Sequence, residues 1–256
     1  MKALQLGFLA LVYFALWGCN STTPINSKTK RATADQIGQQ KILVFTKTAG
    51  YRHEAIEKGV ATFEAIGVEE NVKVIHTEDA AIFNTPPLSQ YDAIVFLNTT
   101  GDILDASQQQ AFEAYITNGG RFLGVHAAAD TEYDWPFYGE LLGGYFESHP
   151  NNPNILEATL IKTANAHPAT AHLESQFTRA DEWYNYKSVR PSITPVLLLD
   201  ESSYKGGNQG DYHPISWYTT LGKAKSFYIG GGHTKQAYDE PNFRQHIKAA
   251  LMWCLE

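Results

Sequence analysis

Three side chains in this sequence combine a type that carries out acid–base or metal chemistry with a position that suits a site. His126 follows the apolar run 121–125 and precedes Ala-Ala-Ala-Asp, which is typical of a buried strand that turns sharply into a helix. His233 follows three consecutive glycines, which let a backbone approach a ligand closely. Glu182 lies between an aspartate and two aromatic residues. We predict that His126, Glu182 and His233 are catalytic, because an imidazole beside a carboxylate can act as a general base, a hydrogen-bond donor or a ligand.

The choice of Glu182 over Asp181 depends on the geometry of an extended segment. Neighbouring side chains in such a segment point to opposite sides, so only one of the two acids can face the histidines. Glu182 would share a face with Tyr184, which could contribute to the same site. The alternative is that these acids cap the backbone or pair with Arg179 or Arg190.

The same residue types suggest a metal site. His126, His149 and His233, with Glu182 beside them, could bind a divalent metal such as Zn²⁺ and leave a position open for water. No local motif such as His-Glu-x-x-His supports this interpretation. The cofactor therefore stays open, and each histidine could instead bond only to nearby backbone.

A second set of polar and aromatic residues is suited to binding a hydroxyl-rich ligand. Carboxylates accept hydrogen bonds from hydroxyl groups, and aromatic rings stack on the apolar face of a sugar. Two of the candidates would start the first helix, where backbone N–H groups favour anionic or hydroxyl-rich ligands. The predicted substrate-binding residues are Arg52, His53, Thr100, Asp102, Asp130, Trp135, His149, Tyr184 and His213.

A regular alternation of strands and helices positions these residues. The first half contains apolar or β-rich runs at 41–48, 72–76, 92–97 and 121–125, and helical patterns at 52–67 and 105–118, with Asp105 as N-cap. The second half contains strand patterns at 155–162, 196–199, 215–218 and 224–229, and a closing helix at 243–253. The alternation predicts one α/β domain whose parallel sheet is covered on both faces. Ligands of such sheets bind beyond the carboxyl ends of the strands, where the polar residues lie.

The N-terminus has the features of a bacterial lipoprotein. An apolar run from Ala3 to Trp17 is too short for a comfortable membrane span, and it leads into Leu-Trp-Gly-Cys, which resembles a lipobox. We predict a signal peptide over 1–19 that ends at the lipidated Cys19, a flexible tether over 20–40 and the folded domain over 41–256. The expected location is the bacterial cell envelope, with the domain in the periplasm or outside the cell and the lipid anchor as its only contact with the membrane.

The formal net charge of −7 argues against nucleic acid as a partner, because binding to phosphates needs a positive surface. The partner that the polar and aromatic residues favour is a small carbohydrate.

Several short segments, in this order, resemble the ThuA-like (trehalose utilisation) proteins from about Lys41 to the C-terminus. They are Tyr51-Arg52-His53, Thr99-Thr100-Gly101-Asp102, Gly124-Val125-His126-Ala127-Ala128, Asp134-Trp135-Pro136, His149-Pro150, Asp181-Glu182-Trp183-Tyr184, His213-Pro214 and Gly232-His233-Thr234. The resemblance implies a class I glutamine amidotransferase-like fold, which is a flavodoxin-like, doubly wound and mostly parallel sheet with helices on both faces. It also implies a place in bacterial carbohydrate utilisation, often beside the metabolism of 3-keto sugars.

The resemblance does not imply glutamine hydrolysis. Amidotransferases of this fold carry a cysteine at the corner between strand and helix, and here that position is His126. We expect an enzyme, a hydrolase, lyase or isomerase, that acts on a small glycoside or a 3-keto-sugar derivative. The alternatives are a sugar-binding lipoprotein without catalysis and a structural envelope protein. The last predicts that the polar strand ends are scattered.

Overall fold

A nine-stranded mixed sheet forms the centre of the domain. The computed structural model describes residues 38–85 and 87–256, so the predicted signal peptide, Cys19 and the tether up to residue 37 lie outside the described residues. The strands are β1 Lys41–Phe45, β2 Lys73–Thr77, β3 Ala93–Leu97, β4 Arg121–Val125, β5 Tyr145–Ser148, β6 Ile155–Lys162, β7 Gln176–Glu182, β8 Asn185–Lys187, β9 Thr194–Asp200, β10 His213–Leu221 and β11 Ala224–Ile229. In the residues described, no helix is long and apolar enough to cross a membrane.

The sheet has a parallel half and an antiparallel half. Its order is β2-β1-β3-β4-β11-β10-β9-β6-β7, and a separate pair is formed by β5 and β8. The first five strands in this order pair in parallel, whereas β10, β9, β6 and β7 continue the sheet as antiparallel neighbours. The parallel half places the carboxyl ends of β1, β3, β4 and β11 along one edge, which is where ligands of open α/β sheets bind.

Helices cover both faces of the parallel half. The helices are α1 Ile56–Glu70, α2 Ala106–Thr117, α3 Pro136–Leu142 and α4 Pro241–Leu255. The ring of Phe96 in β3 stacks on Phe112 of α2 and on Tyr138 of α3. The next residue, Leu97, points the other way and packs closely against Gly59 of α1. Since neighbouring residues of a strand face opposite sides, the predicted α/β domain with helices on both faces is confirmed.

The predicted first helix is correct in kind and wrong at both ends. It begins at Ile56, so Arg52 and His53 lie in the preceding loop and no helix N-terminus is formed by them. It also continues past Gly67 to Glu70, where Asn71 in the left-handed conformation (φ 55°) ends it. Glycine at position 67 allows α1 to pack closely on β2, because a Cβ atom there would lie 2.6 Å from the side chain of Val74.

The helix over 106–117 confirms its prediction, including the N-cap: Asp105 and Gln108 form a reciprocal capping box. The predicted strands of the second half are also present. The sequence analysis missed α3 and the strands β5, β7 and β8, which are short or rich in polar residues.

His246 of α4 is a core histidine whose burial has a measurable consequence. Its Nδ1 donates to the carbonyl of Ala169 (2.7 Å), and its Nε2 lies 3.0 Å from the hydroxyl oxygen of Ser216. Burial lowers its pKa from 6.5 to about 4. The unfolded chain therefore binds a proton at a higher pH than the folded domain does, so this contribution to stability is complete above pH 6.5 and is lost as the pH falls towards 4.

We expect the free energy of unfolding to decrease by about 2–3 kcal/mol between pH 7 and pH 4.5 on account of His246. Urea denaturation of the wild type and of His246→Gln at both pH values measures this contribution as the difference between their pH dependences. Equal losses of stability in the two proteins would contradict the assignment.

Candidate functional site

Four side chains from distant parts of the chain meet at the carboxyl edge of the sheet. They are His53 from the loop before α1, His126 directly after β4, Glu182 at the end of β7, and His233 from the loop after β11. We call them the His/Glu cluster. One ligand atom from each lies within 4.8 Å of the corresponding atoms of the other three. The predicted catalytic residues His126, Glu182 and His233 are thus brought together, and the scattered arrangement expected of a structural protein is not observed.

The contacts within the cluster centre on one carboxylate oxygen. Oε2 of Glu182 lies 2.9 Å from Nδ1 of His233 and 3.4 Å from Nε2 of His126. The two ring nitrogens are 3.3 Å apart. The ring of His53 meets the rings of His126 and His233 edge-on, with centroids 5.0 and 4.9 Å apart.

The backbone holds His126 in the sharp corner that its sequence predicts. The residue has φ 48°, in the left-handed region that few residues other than glycine, asparagine and aspartate adopt, and a short 3₁₀ helix over 126–130 follows. Its carbonyl accepts a hydrogen bond from the hydroxyl of Tyr228 (2.8 Å). The ring of Tyr184 lies over the imidazole with centroids 4.3 Å apart. The imidazole is completely buried.

A hydrogen bond to backbone fixes the tautomer of His126. Nδ1 lies 2.8 Å from the carbonyl oxygen of Gly230, and a carbonyl only accepts, so Nδ1 carries the proton. In neutral His126 the lone pair of Nε2 then faces the cluster. That lone pair and the carboxylate of Glu182 are both electron-rich, so they attract only if a second proton or a cation lies between them.

The charge state of Glu182 suits such a cation. Burial alone would raise the pKa of its carboxyl, but hydrogen bonds from His126 and His233, made when their facing nitrogens carry a proton, outweigh that effect and hold the pKa well below the usual range. Oε1 accepts a further hydrogen bond from the side chain of Asn154 (3.0 Å). Glu182 is therefore an ionised carboxylate in an almost fully buried position.

His53 is the member that is least satisfied by the protein. Its Nδ1 is buried and has no hydrogen-bond partner among the described residues. Burial and the neighbouring His126 and His233 lower its pKa to about 2, so the imidazole is neutral. A buried polar atom without a partner is costly, and a neutral imidazole is the form that binds a metal.

The donor set fits a divalent transition metal. Ligands about 2.05 Å from a tetrahedral Zn²⁺ lie about 3.3 Å from one another. The three separations among His126, Glu182 and His233 are 2.9, 3.3 and 3.4 Å, close to that value. The chemistry of three imidazoles and one carboxylate suits Zn²⁺ and also Fe²⁺ or Ni²⁺. This cluster could hold a metal.

The cluster differs from the predicted metal set in one member. His149, predicted as a ligand, lies beside the cluster, with its Nδ1 3.6 Å from Oε1 of Glu182 and 2.8 Å from the carbonyl of Pro150. His53, predicted to bind substrate, completes the group instead.

The partly exposed members of the site show where it opens to solvent. The side chains of His233 and His149 are 17% and 26% exposed. Tyr51, whose ring lies edge-on to His53 at 4.9 Å, is 61% exposed. The deep side is closed by His126 and Tyr184. A ligand would therefore approach between the loop after β1 and the loop after β5.

Three of the predicted substrate-binding residues lie close to the cluster or to the loop that carries Tyr51. Tyr184 lies over His126 and is buried. Asp130 accepts a hydrogen bond from the hydroxyl of Tyr133 (2.6 Å), and burial raises the pKa of its carboxyl. Thr100 acts through the backbone, since its hydroxyl donates to the carbonyl of Tyr51 (2.9 Å) and so fixes the loop that carries Tyr51.

The structure does not bring the other predicted residues to the cluster. Arg52 pairs with Glu57 (2.6 Å) and Glu78 (3.0 Å) on the surface. Trp135 packs between α2 and α3, against Phe112 and Tyr138. Arg52 and Trp135 therefore make their contacts outside the opening. Asp102 is exposed in the loop after β3.

His213 is also held away from the cluster. It is completely buried, with one nitrogen 2.8 Å from Glu201 and the other 2.8 Å from the carbonyl of Tyr184. Its contact with that carbonyl fixes the segment that carries Tyr184, so it acts on the site through the backbone.

Sequence reasoning missed three contributors. The sequence favours Glu182 over Asp181, yet Asp181 binds backbone N–H groups of the site. Asn154, directly before β6, donates a hydrogen bond to Glu182, and Tyr51 lies beside His53. No local pattern marks Asn154, because its contact spans 28 residues.

Fold and site together define an α/β domain with a buried histidine–carboxylate cluster at the carboxyl edge of its sheet. The family model of ThuA, described as trehalose utilisation, matches residues 41–254, so the chain belongs to the ThuA family. No curated relative matches the sequence.

Solved structures share the fold. A ThuA-like protein from Bacteroides uniformis superposes with a TM-score of 0.69 at 22% identity, over 84% of this chain and 91% of that one. A ThuA-like protein from Parabacteroides merdae gives 0.68 at 16%, over 84% and 90%. A β-galactosidase from Bacillus circulans gives 0.54 at 11%, over 84% of this chain and 31% of that one. The predicted α/β fold is confirmed, with a mixed sheet in which the N-terminal strands are parallel and most later strands antiparallel, and at these identities the likeness concerns the fold alone.

Proposed function

We propose that this protein is a metal-dependent enzyme of carbohydrate utilisation that acts on a small glycoside or a 3-keto-sugar derivative. The observation that supports this most strongly is the convergence of three histidines and an ionised glutamate on one buried point, with a buried imidazole nitrogen left unpartnered among the residues that the structure describes. Membership of the ThuA family supports a carbohydrate as substrate.

The protein's own residues have distinct parts in this proposal. His53, His126, Glu182 and His233 would hold the metal, which would supply Lewis acidity towards a carbonyl or hydroxyl oxygen of the substrate. Nδ1 of His126 stays protonated on the carbonyl of Gly230, so this ring presents only Nε2 to the metal.

Groups at the opening would handle the proton and the substrate. His149, partly exposed and 3.6 Å from Glu182, is placed to exchange a proton with a bound sugar hydroxyl. Hydrolysis, lyase and isomerase reactions all use such a proton transfer. Glutamine hydrolysis is not proposed, because a histidine occupies the nucleophile's corner.

The location that goes with this function is the cell envelope. We propose that Cys19 carries a lipid anchor and that the domain works in the periplasm or outside the cell, on the basis of the N-terminal sequence alone. The carbohydrate and the membrane at the anchor are the partners proposed, and nucleic acid is not one of them.

The test of the proposal is a turnover assay with defined metal content. The full chain is stripped with chelator, reloaded with Zn²⁺, Mn²⁺, Fe²⁺ or Ni²⁺, and incubated with a panel of glycosides and their 3-keto forms, and the products are identified by mass spectrometry. The proposal expects product only from the metal-loaded protein. Binding of a sugar without any product would favour the alternative, a sugar-binding lipoprotein.

Tyr51 offers a specific test of sugar binding. An exposed ring beside His53 is placed to stack on the apolar face of a pyranose, and such a contact contributes about 0.5–1.5 kcal/mol. We expect Tyr51→Ala to raise KM roughly 2–10-fold with little change in kcat, and Tyr51→Phe to behave like the wild type. Steady-state kinetics of both variants measures this.

Tyr212→Ala is the matched control for Tyr51, because Tyr212 is 55% exposed and has no ring contact with the histidines of the cluster. An unchanged KM in Tyr51→Ala, or the same increase in Tyr212→Ala, would rule out stacking at Tyr51.

A further inference from the structure

The structure assigns a positioning role to Asp181, which fixes two members of the His/Glu cluster relative to each other. This inference rests on the proposed metal site. Glu182 ends β7 and His233 lies in the loop after β11, and these two strands are not neighbours, since β7 is the edge strand and three strands separate it from β11. Sheet pairing therefore does not determine their separation. A specific contact has to do so, and Asp181 makes it.

Both carboxylate oxygens of Asp181 bind backbone N–H groups of the site. Oδ1 accepts from the N–H of Glu182 (3.0 Å) and of His233 (3.1 Å). Oδ2 accepts from the N–H of Gly232 (2.7 Å). Asp181 is completely buried, so water does not compete for these bonds. One side chain thus joins the end of β7 to the loop after β11, and we call this set of bonds the clamp.

Arg179 binds the carboxylate of Asp181 and so supports the clamp. Its guanidinium lies 3.0 Å from Oδ2 of Asp181 and 2.8 Å from Glu240, and it rests over the ring of Phe243 at 4.5 Å. The charge of Asp181 is therefore balanced within the protein. The Arg179–Asp181 pair lies outside the cluster and does not use up its donor atoms.

The clamp explains why glycine is found at positions 231 and 232, directly before His233. A Cβ atom at Gly231 would lie 2.9 Å from Oδ2 of Asp181 and would also meet the guanidinium of Arg179. Gly232 has φ 115°, which side chains rarely adopt. The sequence predicts that the three glycines before His233 approach a ligand, but the group that Gly231 approaches is the carboxylate of Asp181, and Gly230 approaches Tyr186 and Ile215. The side chain of Asp181 takes no part in the chemistry on the substrate, so Asp181 is a positioning residue.

The experiment compares Asp181→Asn with Glu240→Gln in the full chain, using Co²⁺ as the probe. The side-chain amide of the first variant has one acceptor oxygen and presents an NH₂ group to the N–H donors on its other side. Glu240→Gln removes the other carboxylate of Arg179 and leaves the clamp in place. We expect Asp181→Asn to weaken Co²⁺ binding about 10–100-fold and to change the visible absorption of the bound Co²⁺. Glu240→Gln should keep the wild-type affinity and spectrum.

Two results would overturn the inference: a folded Asp181→Asn protein with wild-type Co²⁺ affinity and spectrum, or equal losses in both variants. Hydrogen exchange of the metal-free wild type tests the clamp separately and serves if Asp181→Asn does not fold. The amides of Gly232 and His233 should exchange slowly although they lie in a loop, and rapid exchange would contradict the clamp. If the wild type binds no Co²⁺ but these amides are protected, the metal proposal fails while the clamp stands.

Discussion

The His126→Asn variant is expected to lose turnover by roughly 10²–10⁴-fold while it keeps the fold. The substitution removes Nε2, which lies 3.4 Å from Glu182 and 3.3 Å from His233. Asparagine tolerates the left-handed backbone at this corner, where φ is 48°, and its amide can still donate to the carbonyl of Gly230. Steady-state kinetics and metal content measured on the same preparation check the expectation.

His167→Asn is the matched control. His167 is another buried histidine, and it caps the 3₁₀ helix over 168–170, a role that asparagine also fills. It lies outside the cluster, so its replacement should leave turnover within about twofold of the wild type. Full activity of His126→Asn, or a comparable loss in the control, would refute the role of His126.

The Glu182→Gln variant should lose the metal as well as the activity. The substitution keeps the shape of the side chain and removes the only negative charge of the cluster. Three neutral imidazoles and an amide form a much poorer site for a divalent cation than three imidazoles and a carboxylate. We expect a loss of at least about 100-fold in metal affinity, more than a group outside the ligand set produces. Calorimetric titration with Zn²⁺ measures it.

Glu201→Gln controls for the general effect of removing a glutamate that pairs with a histidine. Glu201 lies 2.8 Å from His213, and the cluster does not include it. Its replacement should leave the metal affinity within a few-fold of the wild type. If Glu182→Gln bound Zn²⁺ as tightly as the wild type does, the carboxylate would not be a ligand.

The predictability of the site depends on whether a local pattern fixes a residue. His126 could be predicted, because an apolar strand followed by small residues marks a corner at the carboxyl edge of a parallel sheet. The orientation of Glu182 could also be predicted, because alternation along an extended segment lets only one of two neighbouring acids face the histidines. The structure places both as the patterns indicated.

Residues whose partners are distant in sequence could not be predicted in this way. Arg52 pairs with Glu57 nearby and also with Glu78 far along the chain, and nothing near Arg52 indicates the pairing with Glu78. The sequence predicts that His53 starts the first helix, but α1 begins after Ala55 without any side-chain cap, so the sequence contains no marker for its true start. The sequence predicts that Trp135 binds substrate, because α3, which it packs beside, is too short to show a helical period.

The antiparallel half of the sheet also contains a strand that local sequence patterns do not predict. The strand β7 (QFTRADE) contains only two apolar residues, Phe177 and Ala180, at a spacing that is not that of a strand, so its pattern resembles a loop. Its position at the sheet edge is set by pairing with β6, and its return to the cluster is set by the bonds of Asp181 to the backbone of Gly232 and His233. Both depend on contacts formed only in the folded domain.

Anomalous X-ray diffraction at the metal edge, from crystals of the full chain grown with Zn²⁺, tests the proposed metal centre most directly. We predict a single strong peak about 2.0–2.2 Å from one donor atom each of His53, His126, Glu182 and His233. Absence of a peak among these four side chains, with the crystals otherwise well ordered, would contradict the metal site and leave a fold with an unassigned histidine cluster.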